Sequence, residues 1–138
     1  MMVQEIYRRT HFVSHSQIDL VANGAELAEL ECGGTIASFA PGHIKIATAW
    51  DENGTVEPHV ELIVTGFDLL AAADVPGDMI AVASGPFVVL EDGAEAGNYI
   101  IGDLAKFELR KAAYVATVFV DKIAPMTARR VHIHLRRT

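Results

Sequence analysis

The sequence predicts an all-β fold: an antiparallel β-sandwich of about ten short strands with at most one short helix, a barrel-like closure of the same strands being the alternative. Two observations predict it. Apolar residues recur with period two along much of the chain, most clearly where Val131, Ile133 and Leu135 alternate with Arg130, His132, His134 and Arg136. Turn-forming pairs punctuate the chain at the roughly 8–12-residue spacing of a sandwich: Asn23-Gly24, Gly33-Gly34, Pro41-Gly42, Pro76-Gly77, Gly85-Pro86, Asp92-Gly93 and Gly97-Asn98.

Taken in order, strands are expected at Phe12–Val21, Ala25–Glu31 and Thr35–Phe39. Ile44–Trp50 and Val56–Thr65 flank Asp51-Glu52-Asn53-Gly54. Asn-Gly supplies the positive φ of a tight turn, so these two runs read as a hairpin. Phe67–Ala73 is the one helical candidate, with Asp68 as its cap. Met79–Ala83, Phe87–Leu90 and Tyr99–Ile101 are short strands. Leu104–Lys111 alternates, with Lys106, Glu108 and Arg110 on one face. Ala113–Val120 is apolar on both faces and reads as a central strand, whereas Arg130–Arg136 reads as an edge strand with an exposed basic face. The expected core is Ile36, Phe39, Ile44, Leu62, Val64, Val82, Val88, Leu90, Phe107, Leu109, Val118, Val120, Val131, Ile133 and Leu135. No repeat, linker or low-complexity stretch divides the chain, so residues 1–138 read as one domain.

Composition excludes several classes. At 51% hydrophobic and 21% charged, the chain is too apolar to be disordered. The first twenty residues hold no apolar run long enough for a secretory signal, and no window approaches a membrane span. With Cys32 as the lone cysteine, the expectation is a soluble cytoplasmic protein without an internal disulfide. The net charge of −7 is unevenly spread: residues 12–105 carry 15 carboxylates and one cation, Lys45, while residues 1–11 and 106–138 are net positive. Such a span repels nucleic acid and anionic membranes and attracts a basic protein. The candidate partner-binding carboxylates are Asp51, Glu52, Glu57, Glu61, Asp68, Asp74, Asp78, Glu91 and Asp92.

Catalytic signals are sparse. His132 and His134, two apart on a strand, point to one face and have the spacing of a metal-chelating pair. No carboxylate follows them, and arginines surround them, which disfavours a cation. Glu57, His59 and Glu61 share one strand face beside Pro58. Neighbours alternate on a strand, so His15 cannot serve Ser14 or Ser16, and Cys32 has no adjacent base. Neither a phosphate loop nor a dinucleotide fingerprint is present, and no cofactor is expected. The leading reading is a non-catalytic acidic protein-binding module, an inhibitor of a basic enzyme such as a nuclease. The alternatives are a small β-barrel metal-dependent enzyme or small-molecule binder using His59, His132 and His134, and a structural subunit that assembles as a homo-oligomer.

One family resemblance supports the leading reading. Ser14-His15-Ser16-Gln17 running into Ile18-Asp19-Leu20 resembles the opening strand of the ComJ-type competence nuclease inhibitors. Gly34–Phe39 is similar to their next segment. Pro86-Phe87 through Glu91-Asp92-Gly93, then Leu104–Leu109 and Ala113–Val120, follow a similar order of strand, turn, strand, strand. The resemblance implies a compact β-protein that binds and blocks a nuclease. Whatever the ligand, the central-strand assignment has a direct test. Val118→Asp or Val120→Asp should abolish folding, because an unpaired buried carboxylate costs several kcal/mol, on the order of the whole stability. Soluble protein with a native circular dichroism spectrum would show that strand to be misplaced.

Overall fold

The computed structural model describes residues 3–13, 15–26, 36–48, 59–68, 70, 74–75, 77–122 and 128–138. Its strands are β1 (Gln4–Phe12), β2 (Gln17–Ala22), β3 (Ala37–Ala40), β4 (His43–Ala47), β5 (His59–Phe67), β6 (Met79–Val89), β7 (Ala94–Asn98), β8 (Asp103–Phe107), β9 (Ala112–Asp121) and β10 (Arg130–Arg137). They form two five-stranded sheets, β1-β5-β10-β9-β6 and β3-β4-β2-β7-β8, which pack as a β-sandwich. Neighbours are antiparallel except β5 and β10, which run parallel, with Val131 opposite Leu62 and Leu135 opposite Gly66.

Alternation decides which side chains enter the core. From the first sheet come Val60, Leu62 and Val64 of β5, Val131, Ile133 and Leu135 of β10, Ala116, Val118 and Val120 of β9, and Phe87 and Val89 of β6. The second contributes Ile18, Leu20 and Ala22 of β2, Ile44 and Ile46 of β4, and Ala94 and Ala96 of β7. Burial of aliphatic side chains on this scale, roughly 1.5–3 kcal/mol each, is the main favourable term.

Several elements differ from expectation for identifiable reasons. β10 lies in the middle of its sheet, not at an edge, and His132 and His134 are buried on its outer face. β4 pairs with β3 and β2, and β5 with β1 and β10, so the runs flanking Asn53-Gly54 belong to different sheets and are not hairpin partners. Residues 51–54 themselves lie outside the described residues, as do most of Ala25–Glu31 and residues 69 and 71–73 of the expected helix. Phe67 ends β5. The run Phe12–Val21 is broken by a turn in which His15 and Ser16 adopt φ of 60° and 56°, and the chain before it forms β1. Gly85-Pro86 is not a turn but the middle of β6, an edge strand, where a missing N–H is tolerated. Phe87 and Val89 face the core, so Val88 is only half-buried and Leu90 is 66% exposed. Four consecutive apolar residues carry no parity, and the alternate phase was equally compatible with the sequence. Tyr99–Ile101 is the turn between β7 and β8.

The two open sides of the sandwich are closed differently. On one, Phe39 of β3 lies against Gly85 of β6, where a Cβ would come within 2.8 Å of its ring. On the other, His11 of β1 lies over Gly97 of β7 and meets Asp103 at the start of β8. Gly97 has φ +142°, and a Cβ there would sit 1.9 Å from the Asp103 carbonyl oxygen and 2.9 Å from the His11 ring. Gly97→Ala should therefore destabilise the protein by at least about 3 kcal/mol. Gly77, with nothing within 4 Å of an added Cβ, is the control: Gly77→Ala should stay within about 1 kcal/mol of wild type. Thermal melts of the two variants distinguish the positions.

Candidate protein-binding groove

An open groove of about 1280 Å³ lies at the end of the sandwich where β5 and β10 finish and β1 begins. Its apolar walls are Ile6 of β1, Phe67 of β5, Phe107 of β8 and Leu109. Five carboxylates line it, Glu5, Asp68, Asp92, Glu95 and Glu108, against three cations, Lys106, Arg110 and Arg137. Lys106 stands 3.8 Å from Glu95, and the Arg137 guanidinium lies 4.5 Å above the Phe67 ring. Glu5 is paired with Arg8 at 2.7 Å. Asp92 Oδ1 accepts the Lys111 N–H at 2.7 Å, which ties the β6–β7 turn to the segment between β8 and β9. The lining is thus acidic on balance, with aromatic rings and cations interspersed.

The carboxylates expected to bind a partner fall into separate groups. Asp68 and Asp92 line the groove. Glu91 is exposed at the β6–β7 turn, its carboxylate lying over Gly24, and Asp74 is exposed as well. Glu61 lies seven residues back along β5 from Asp68, roughly 23 Å at 3.3 Å per residue. Two arginines meet it there, Arg8 at 3.3 Å and Arg130 at 3.8 Å, and Arg130 also hydrogen-bonds Asp78. Asp51, Glu52 and Glu57 lie outside the described residues.

Three buried polar clusters frame the sheets, and the sequence reading missed most of their members. In the first, the His11 Nδ1–H donates to Asp103 at 3.1 Å, so its Nε2 accepts the Tyr7 hydroxyl proton. Arg9 reaches the same carboxylate at 3.4 Å. Carboxylate, imidazole and phenol are in the order of a nucleophilic triad. Burial, however, pushes the Tyr7 phenol up to about 12, so it is held as a proton donor at neutral pH. The cluster is a clasp between the sheets. In the second, Asp19 and His43, both fully buried, meet at 2.6 Å, and the Gln17 amide donates to Asp19 at 3.3 Å. Burial raises the Asp19 carboxyl above its usual range, with His43 and Gln17 opposing. Period two puts Tyr7, Arg9 and His11 on one face, a signal present in the sequence; nothing local ties Asp19 to His43.

The third cluster holds two of the histidines singled out as metal candidates. Thr65 Oγ1 lies 2.7 Å from His132 Nε2 and 2.8 Å from His134 Nδ1, and His134 Nε2 lies 2.7 Å from the Asp68 carbonyl. His59 is exposed at the far end of β5, against Phe12, so the three histidines do not converge. Among the described residues no group of three or more His, Cys, Asp or Glu side chains is placed to hold a metal.

No protein-family model matches the chain, and no curated protein sequence matches it. Among solved structures it is similar to ComJ of Bacillus subtilis, described as an inhibitor of the DNA-degrading activity of NucA. The two superpose with a TM-score of 0.70 over 100% of each chain, at 13% sequence identity. The chain has the ComJ fold. The expected sandwich and the resemblance in strand order meet in that superposition.

The titration of the third cluster has a measurable consequence. Burial first, then the neighbouring His134 and Arg8, hold the His132 imidazole down at about 4. The unfolded chain takes up a proton at about pH 6.5 that the folded chain refuses. Stability is therefore full above about pH 6.5 and is lost as the pH falls towards 4, by on the order of 3 kcal/mol from this group. Burial also lowers His11, which adds loss in the same direction. Urea unfolding across this interval should show the fall, reduced in His132→Asn; a flat wild-type profile would refute it.

Proposed function

We propose that this protein is a protein-binding inhibitor of a nuclease and that it engages its target at the groove between Phe67 and Phe107. The observation that carries the reading is the full-length structural similarity to ComJ, an inhibitor of a DNA-degrading activity. The net charge of −7 agrees with it, because a nuclease presents a basic surface to its substrate. The groove offers a partner carboxylates for Arg and Lys heads and aromatic rings for their aliphatic stems.

Inhibition is tested by titrating the purified chain into a DNA-degradation assay with NucA. The same assay then follows nuclease activity that binds the immobilised chain at low salt and elutes at high salt. Stoichiometric loss of DNA cleavage is expected, and absence of inhibition in both assays overturns the reading. Asp68→Lys with Asp92→Lys should weaken inhibition about tenfold or more at low salt and flatten its salt dependence, while the lost Asp92–Lys111 hydrogen bond lowers stability by about 1–2 kcal/mol. Glu61→Lys, at the opposite end of β5, should leave inhibition intact. The reverse pattern would move the docking surface to the Glu61 end.

A further inference from the structure

The groove lies on an open side of the sandwich, and two of its walls are sheet edges. β1 ends the first sheet and β8 ends the second. His11 and Asp103 close the gap between them at one end. The groove occupies the other, between residues 4–6 of β1 and residues 106–110.

Hydrogen-bond parity fixes which backbone groups of β8 face it. Along a strand, successive residues turn their N–H and C=O to opposite sides. The Ala22 N–H bonds the Gly42 carbonyl beside β4, and the Asn23 N–H bonds the Gly93 carbonyl beside β7. Asp19 and Val21, in phase with Asn23, therefore bond β7 through Gly97 and Glu95. Ala94 and Ala96 are left to bond β8, through Phe107 and Ala105. Leu104 and Lys106 consequently turn their N–H and C=O away from β7. Glu108 does so too, because the next carbonyl, of Leu109, turns back to accept the Gly93 N–H at 2.7 Å. Among the described residues β8 pairs with β7 alone, so a row of unpaired ladder positions borders the groove.

The other three edges are blunted. β6 contains Pro86, and its Val88 N–H bonds the Pro41 carbonyl. β3 is four residues long, with Phe39 packed on Gly85. β1 shifts register between Glu5 and Tyr7. Residues 104–108 hold neither a proline nor a register shift.

We propose that β8 accepts an extended segment of a partner protein as an added strand, one that is apolar at alternate positions and carries net positive charge. The role of this strand in inhibition rests on the groove being the docking surface. An added strand repeats every two residues, so one set of its side chains enters the groove beside Ile6, Phe107 and Leu109. The other set lies on the outer face of the second sheet, in line with Lys106 and Glu108, both exposed. Positive charge is favoured because the lining holds five carboxylates against three cations. The main-chain bonds supply affinity, and the alternating side chains supply selection.

The probe is an acetylated, amidated heptapeptide of alternating Lys and Val, added to saturation to the full 15N-labelled chain at low salt. Amide exchange should slow about tenfold at Leu104, Lys106 and Glu108 and stay unchanged at Ala105 and Phe107, whose N–H groups already bond β7. The same peptide N-methylated at two adjacent central residues keeps its charge but loses a ladder donor on each side, and it should bind at least about tenfold more weakly. Lys106→Gln removes a cation and should bind the unmodified peptide at least as tightly as wild type. Lys106→Pro removes the same cation together with an outward N–H, a loss that an edge strand tolerates, and should bind about tenfold more weakly. No slowing, equal slowing at all five amides, equal binding of the N-methylated peptide, or equal binding by the two variants would each overturn strand addition. The wild-type measurements decide the matter even if Lys106→Pro does not fold. Inhibition of NucA is read separately. Alternate protection without inhibition would overturn the docking reading and leave the strand acceptor standing; inhibition without alternate protection would do the reverse.

Discussion

Strand β10 is covered on both faces, and much of the structure follows from what that demands of its residues. Its inner positions Val131, Ile133 and Leu135 meet Val120, Val118 and Ala116 on one side and Leu62, Val64 and Gly66 on the other. Its outer positions His132 and His134 are polar and 4% and 3% exposed, so their nitrogens have to be satisfied within the protein. Thr65 supplies that satisfaction from β5, which is possible only because the parallel register puts His134 opposite it. The last acceptor in the series is the Asp68 carbonyl, just beyond the end of β5. The central strand thereby fixes where the chain leaves the sheet, and with it one wall of the groove.

The sandwich needs its open sides closed as well, and the two closures have different chemistry. Phe39 against Gly85 is a packing contact, indifferent to pH. The clasp of Tyr7, His11 and Asp103 is polar, and it requires Gly97 so that an imidazole can lie against the β7 backbone. A fully buried imidazole bound to a carboxylate fixes position more sharply than an aliphatic contact, because each ring nitrogen accepts one kind of partner in one direction. Burial holds both His11 of this clasp and His132 of β10 below the usual imidazole range, so the fold carries its acid sensitivity in two separate places.

The sandwich was legible because period two and turn chemistry survive in the sequence: Ile18-Asp19-Leu20 and Val131-His132-Ile133 alternate as they pack, and Ala113–Val120, apolar on both faces, lies inside its sheet. What was illegible depended on partners distant in sequence. Arg130–Arg136 reads as an exposed basic face until Thr65 and Asp68 are brought against it. Residues 4–11, where no strand was expected, form most of β1, and its His11 meets Asp103, 92 residues away. The Ala-Glu-Ala-Gly-Asn of β7 has weak strand propensity, and it pairs because β2 and β8 flank it. The groove has the same origin. Its residues come from β1, from the ends of β5 and β10, and from the β6–β7 and β8 segments, so no contiguous stretch announces it.

Charge shows most plainly how folding rewrites a sequence pattern. Along the chain, acid and base occupy different segments. In the fold, Arg8 and Arg130 stand beside Glu61 and Asp78, and Arg137 and Arg110 line the groove together with Asp68 and Asp92. These surface pairs contribute little to stability, about 0–1 kcal/mol each, but they shorten the reach of the acidic field. A net −7 still steers a basic protein towards the molecule at long range. Once the two surfaces are close, a wall of mixed sign rewards a partner whose own charges match it position by position and penalises one that is merely basic. A bare polycation, or a basic protein of the wrong pattern, meets Arg110 and Arg137 as readily as Asp68. In the proposed complex, discrimination between basic partners therefore belongs to the groove, and attraction to the molecule as a whole.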